Sequence, residues 1–209
     1  MDTFNQFVNA AVVSSNSIYS RWATEEWFSG SWLILVGLLA LSWTLLILLI
    51  DKSRLREILL FGLALTLLFG AADVIATEYG LWEYKTHIIP LKSSLFPFSY
   101  TMPPMFHMLA YQYSSSWGSF AMLATMVNVF FAFVAHPVYV WTEVLWLGNW
   151  SYIYSFLYLM SVTVGVRAFV VWLAKAEQQY AAKIRHTFLA PVGQPAMKPL
   201  RDQKEKKKE

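Results

Sequence analysis

Four stretches of the chain, Ser31–Ile50, Ile58–Thr77, Ser119–Tyr139 and Tyr152–Leu173, each hold about 20 mostly apolar residues, the length a helix needs to cross a bilayer. Each predicts a membrane span. Ahead of them Phe4, Phe7, Val8, Ala11 and Val12 recur at helical spacing, Ile18, Tyr19 and Trp22 continue the stripe, and Asn5, Gln6 and Asn9 lie opposite. This pattern predicts an N-terminal amphipathic helix lying in the membrane interface.

The loop Asp51-Lys-Ser-Arg-Leu-Arg56 puts three basic residues between the first two spans and is expected on the cytoplasmic side. The first span then starts outside, and the second returns outside near Tyr79. Residues 174–209 carry nine basic side chains against four acidic ones, so this tail is also expected in the cytoplasm. That parity requires a fifth crossing between Gly80 and Gly118. The segment Pro90–Trp117 is the candidate, and Pro90, Pro97, Pro103 and Pro104 preclude one continuous helix there. A broken span is expected, irregular or briefly helical over Leu91–Met102, with a helix starting at Pro103-Pro104. Irregular backbone at membrane depth survives only under cover of protein or water, so this segment should line the bundle interior.

The predicted fold is thus an all-α polytopic membrane bundle of about five transmembrane helices, the third proline-broken, preceded by the interfacial helix. Its expected divisions are an outer-face segment over 1–30, the bundle over 31–175 and a basic tail over 176–209, with the chain largely disordered beyond 188. The expected location is the cell membrane, N-terminus outside and C-terminus in the cytoplasm. Trp27, Trp32, Trp82, Tyr84, Trp141, Trp146, Trp150 and Tyr152 fall at the predicted outer interface, and Tyr111, Tyr113, Trp117 and Trp172 at the inner one. No internal repeat is evident in the sequence.

Composition narrows the chemistry. The 209 residues are 57% hydrophobic and only 14% charged, too apolar for an ordinary soluble domain, and the absence of Cys excludes disulfides, thiolate metal sites and cysteine nucleophiles. No phosphate-binding loop, dinucleotide fingerprint or nucleophile elbow occurs. Neither a cofactor nor a metal is expected.

Ionisable side chains within spans are costly and therefore become the candidates. Asp73 lies well inside the second span, and His136, followed by Pro137, lies at a similar depth in the fourth. A carboxylate–imidazole pair there would suit proton relay or ligand binding, and satisfied structural polar groups are the simpler alternative. His107, on the broken span, could face the same cavity. Glu78, Trp82, Glu83 and Glu143 cluster at the outer mouth. Arg167, in the inner half of the last span, is expected to snorkel to the cytoplasmic surface or else to bind a ligand.

The basic tail should attract anionic lipids, and with no aromatic platforms in it nucleic acid is not expected. Three functions fit the pattern. The first is binding or transport of a small molecule or ion through a cavity lined by the broken span. The second is association with another membrane protein through the small-residue series Gly62, Thr66 and Gly70. The third is an intramembrane enzyme on a lipid or isoprenoid, with Asp73 or Glu83 as acid and His136 as its partner. Catalysis ranks last, because the polar residues are too scattered to define a reaction.

The runs Leu55-Arg-Glu-Ile-Leu-Leu60, Asp73-Val-Ile75, Gly80-Leu-Trp-Glu-Tyr84, Ile89-Pro-Leu91, Leu95-Phe-Pro-Phe98, Tyr111-Gln-Tyr113 and Trp150-Ser-Tyr-Ile-Tyr-Ser155 resemble a family of small multi-spanning membrane proteins of unassigned activity from endospore-forming bacteria. The resemblance covers about residues 55–160. It implies a bacterial multi-pass protein with a shared element around Asp73 and Trp82–Tyr84. A fainter likeness is to the membrane lycopene cyclases, which also combine a Trp-x-Tyr segment with a proline-containing stretch. Their paired glutamates are absent here, where Pro90-Leu-Lys-Ser-Ser-Leu-Phe-Pro97 stands.

Overall fold

The computed structural model describes residues 2–91 and 95–189. Among the described residues the α-helices are α1 (Asp2–Arg21), α2 (Gly30–Leu49), α3 (Leu55–Glu78), α4 (Phe98–Gln112), α5 (Trp117–Phe130), α6 (His136–Trp141) and α7 (Tyr152–Leu189). Two three-residue strands, β1 (Trp82–Tyr84) and β2 (Leu145–Leu147), complete it. Among the described residues four helical stretches are long and apolar enough to cross a membrane: Gly30–Leu49, Lys52–Glu78, Trp117–Trp141 and Tyr152–Ala181. Leu33, Ile34, Ile47, Leu48, Leu63 and Leu67 are each more than half exposed, an arrangement suited to hydrocarbon and not to water. This is an all-α bundle of the membrane type. The ordering of the expected tail beyond 189 lies outside the described residues.

Local chemistry explains the helix starts. Ser29 accepts a hydrogen bond from the Trp32 amide at 3.2 Å, and Asp51 from the Ser53 amide at 2.9 Å. Ser116 and Ser119 form a reciprocal capping box at the start of α5. Amides that would otherwise lack partners are satisfied in this way. The helix α1 stands with Phe4, Phe7 and Val13 exposed, and Asn5, Gln6 and Asn9 equally so.

The broken third segment differs from expectation in one respect. Helix α4 begins at Phe98 and contains Pro103 and Pro104, instead of starting with them. Its 15 residues give about 22 Å, short of the roughly 30 Å hydrocarbon core, and the irregular chain before it includes a cis Phe96–Pro97 bond. The proline nitrogens deprive the carbonyls of Ser99 and Tyr100 of their helical donors, a cost more easily borne beneath other elements than at a lipid surface. Indeed α4 is central, packed against α2, α3 and α5. Gly62 and Gly70 of α3 admit it: a Cβ at either would run into Met108 or Tyr100 respectively. That small-residue face is therefore occupied within the bundle.

The strands β1 and β2 pair antiparallel, with Trp82 opposite Leu147, Glu83 opposite Trp146 and Tyr84 opposite Leu145. They form a small ribbon across one end of the bundle, which the sequence analysis did not anticipate. The ribbon also exposes a repeat. Each strand follows a long helix through a left-handed residue, Gly80 at φ 63° and Glu143 at φ 57°, 63 positions apart (143 − 80). At the same offset the Leu81 amide donates to the Ala76 carbonyl and the Val144 amide to the Tyr139 carbonyl, both at 2.9 Å. The Lys85 amide donates to the Val144 carbonyl and the Gly148 amide to the Leu81 carbonyl, again the same bond twice. Buried positions follow suit: Phe61 matches Ala124, Leu65 matches Asn128 and Phe69 matches Ala132, all at most 6% exposed. The helix–turn–strand unit thus occurs twice, although almost no residue identity survives to reveal it.

From Phe169 the described chain, the last section of α7, forms a second unit.

Candidate functional site

Asp73 is buried in α3, one turn before the helix ends, and its carboxylate accepts three hydrogen bonds. Trp82 Nε1 donates to Oδ1 at 3.0 Å and Tyr84 Oη to the same oxygen at 2.7 Å. Ser99 Oγ, at the start of α4, donates to Oδ2 at 2.9 Å. Strand alternation makes this geometry, because residues two apart on β1 share a face. Trp82 and Tyr84 point to the bundle, and Glu83 lies exposed on the other side. Burial, and next the adjacent carboxylate, push the Tyr84 hydroxyl well above its ordinary pKa, so it stays protonated as a donor. Tyr84 and Ser99 are site residues that the sequence reading missed. The period-two pattern Trp82-x-Tyr84 was the available signal.

Beside this carboxylate lies a cavity of about 100 Å³. Its roof is the inner face of the ribbon, Trp82 and Tyr84 from β1 and Leu145 and Leu147 from β2. Phe69, Ala72, Pro103, Trp150, Tyr158 and Leu159 supply mainly apolar walls, and Asp73, Ser99, Ser155 and His136 the polar groups. Asp73 and His136 therefore share one cavity. They are also equivalent positions of the repeat, 63 apart (136 − 73).

Their surroundings differ. No hydrogen bond joins Asp73 to His136, and His136 Nδ1 is buried without a partner. The backbone is distorted there, since a π turn over Phe131–Ala135 precedes His136-Pro137 and the His136 amide bonds to the Phe131 carbonyl, five residues back. Pro137 accounts for the shift, having no N–H to continue the helical ladder. On β2 the positions equivalent to Trp82 and Tyr84 are Leu145 and Leu147, neither of which can donate.

The remaining sequence candidates separate. His107 is fully buried and committed, Nδ1 to the Pro103 carbonyl at 2.7 Å and Nε2 to Asn128 Oδ1 at 2.8 Å; it does not line the cavity. Glu78 is exposed at the end of α3. Glu143 is exposed and lies 3.8 Å from Lys85 Nζ, at a separate surface hollow. Arg167 does not snorkel. It is 7% exposed, donates to Ser114 Oγ at 2.8 Å and to the Ser116 carbonyl at 3.2 Å, and lies over the Phe120 ring at 4.2 Å from its centroid. The Ser114 hydroxyl and the Ser116 carbonyl at the α4–α5 turn, with an aromatic face, hold the guanidinium inside the bundle.

A further polar cluster escaped the sequence reading altogether. Glu26, 6% exposed, accepts from the His87 amide at 2.6 Å and from Arg21 Nε at 3.0 Å, with His87 Nδ1 at 3.2 Å. Trp22 Nε1 donates to the His87 carbonyl and Trp32 Nε1 to that of Ile88, each at 3.1 Å. These bonds clamp the strap that leaves β1.

Among the described residues no group of three or more His, Asp or Glu is placed to hold a metal ion. Comparison with family models, curated proteins and solved structures returned no match.

Proposed function

We propose that this membrane protein binds a small, mostly apolar molecule in the cavity beneath the ribbon, with His136 as the residue that recognises its polar group. The observation that carries the reading is the unpartnered, buried Nδ1 of His136, on the wall of a preformed cavity whose one carboxylate, Asp73, is already satisfied. A buried polar atom without a partner costs about 1–3 kcal/mol, a penalty that a hydrogen-bonding ligand removes. Asp73 is an anchor: its three donors tie β1 and α4 to α3 and fix the roof. An ion is a poorer fit than a neutral molecule, because the walls are largely apolar and the carboxylate oxygens are engaged by neutral donors. Lys52, Arg54 and Arg56 at the opposite end favour an orientation with that end in the cytoplasm and the ribbon outside.

Native mass spectrometry of gently solubilised protein tests this. Wild type should carry an adduct of discrete mass, and Leu145→Trp, which fills the cavity from its roof, should lose it while remaining folded. A purely heterogeneous lipid envelope in both proteins would refute the reading.

A further inference from the structure

The two helix–turn–strand units show what the cavity lacks. In the first, the polar residue of the helix, Asp73, is satisfied by two aromatic donors on the following strand, the indole N–H of Trp82 and the phenol O–H of Tyr84. In the second, the equivalent residue is His136, and the equivalent strand positions hold Leu145 and Leu147. Leucine is smaller than either aromatic residue and offers no donor. Leu145 and Leu147 leave part of the space under the ribbon unfilled, and a nitrogen, His136 Nδ1, is left without a hydrogen bond.

We infer that the ligand is a ring of the phenol or indole type, which restores under β2 the aromatic donor that β1 carries as part of the chain. This rests on the binding reading above and specifies its ligand class. Nδ1 is sealed from the cavity in the structure, so binding turns the imidazole to let Nδ1 accept the ligand O–H or N–H, with the ring proton on Nε2. The ring lies against Leu145 and Leu147. Size sets a limit: an apolar cavity of about 150 Å³ accommodates benzene, so the roughly 100 Å³ here admits one ring only as its walls yield, and the second ring of an indole or a prenyl tail must extend through the cavity's open side. The neighbouring Trp82, Trp150 and Tyr158 rings offer edges and faces for aromatic packing, and Trp82 and Trp150 already meet at 5.3 Å in a T-shaped pair. Two sources present this chemistry to such a protein: a water-soluble phenol or indole, and the hydroquinone head of a prenylated membrane lipid.

The test uses full-length protein in lipid nanodiscs with 15N-labelled histidine, the His136 resonance being assigned by its loss in His136→Gln. Phenol, indole and toluene are titrated separately, and a parallel sample contains a prenylated hydroquinone in the bilayer. Phenol and indole should shift the His136 Nδ1 signal, whereas toluene, of phenol's size but without a donor, should bind about tenfold more weakly and leave that signal unmoved. Leu145→Trp should abolish the response. A shift with the prenylated compound alone would assign the source to the membrane, and a shift with the soluble rings alone would assign it to the aqueous phase. Equal effects of toluene and phenol, or no response to any donor while the native adduct persists in wild type and is lost in Leu145→Trp, would overturn the ligand class and leave the binding reading standing. Loss of that adduct result as well would remove both.

Discussion

Asp73 and Tyr84, eleven positions apart, meet through a 2.7 Å hydrogen bond that closes the turn between α3 and the ribbon. With Trp82 on the same oxygen, the bond converts a residue that is costly in a membrane into the anchor of its own roof. Tyr84→Phe should therefore lower thermal stability in detergent by about 1.5–3 kcal/mol, the range for a hydrogen bond to a charged group, and Asp73→Ala by more, since three donors lose their acceptor together. A double-mutant cycle between the two sites should show strong coupling. Additive effects would show that the bond holds nothing in place.

The buried His107–Asn128 pair should behave asymmetrically. Asn128→Leu strands His107 Nε2 and is expected to cost about 1–3 kcal/mol, whereas adding His107→Phe to it should recover much of that loss, because both polar partners are then gone. Thermal unfolding of wild type and the two variants in one detergent measures the difference.

Acid should release the clamp on the strap. Burial on its own would raise the Glu26 carboxyl, but the hydrogen bonds and charge of His87, with Arg21 beside them, outweigh it and hold the group below its ordinary value of 4.5. A carboxyl depressed on folding stabilises fully above the unfolded value, and that stabilisation is lost as pH falls through the folded one. Hydrogen exchange at residues 85–88 is expected to stay slow above about pH 5 and to accelerate below the ordinary glutamate range. In Glu26→Gln that acid step should vanish and exchange should be fast throughout.

The close approach of α3 and α4 makes Gly70 intolerant of a side chain. Gly70→Ala drives a methyl group into the Tyr100 ring and should destabilise by about 1–3 kcal/mol, and Tyr100→Ala should rescue it in part. No rescue would place the strain elsewhere.

Orientation is open to labelling, because the chain contains no Cys of its own. A cysteine at Ser53 should react with an impermeant maleimide only after the cells are opened, and one at Glu83 in intact cells. The reverse pattern would invert the assignment.

The helical architecture was legible because the spans are long and uniformly apolar, a signal that needs no tertiary knowledge. Asp73 and His136 were legible for a related reason: charge and imidazole stand out against hydrocarbon. What joins them was not. The donors Tyr84 and Ser99 reach Asp73 only through a three-residue strand and a proline-rich turn, elements too short to show a period. The repeat stayed hidden because helix packing preserves burial, not identity: Phe61 and Ala124 fill equivalent places with unlike side chains. His107 and Arg167 appeared from depth alone to be free for ligands or solvent. Their partners, Asn128 on one side and Ser114 and Ser116 on the other, are uncharged residues with no reason to stand out.

The most direct test of the account is a high-resolution density map of the protein purified from its own membrane without added ligand. It should show density that the chain does not explain, within hydrogen-bonding distance of His136 Nδ1 and beneath Leu145 and Leu147. A cavity collapsed by its own side chains, with His136 Nδ1 bonded to another residue of the protein, would contradict the account.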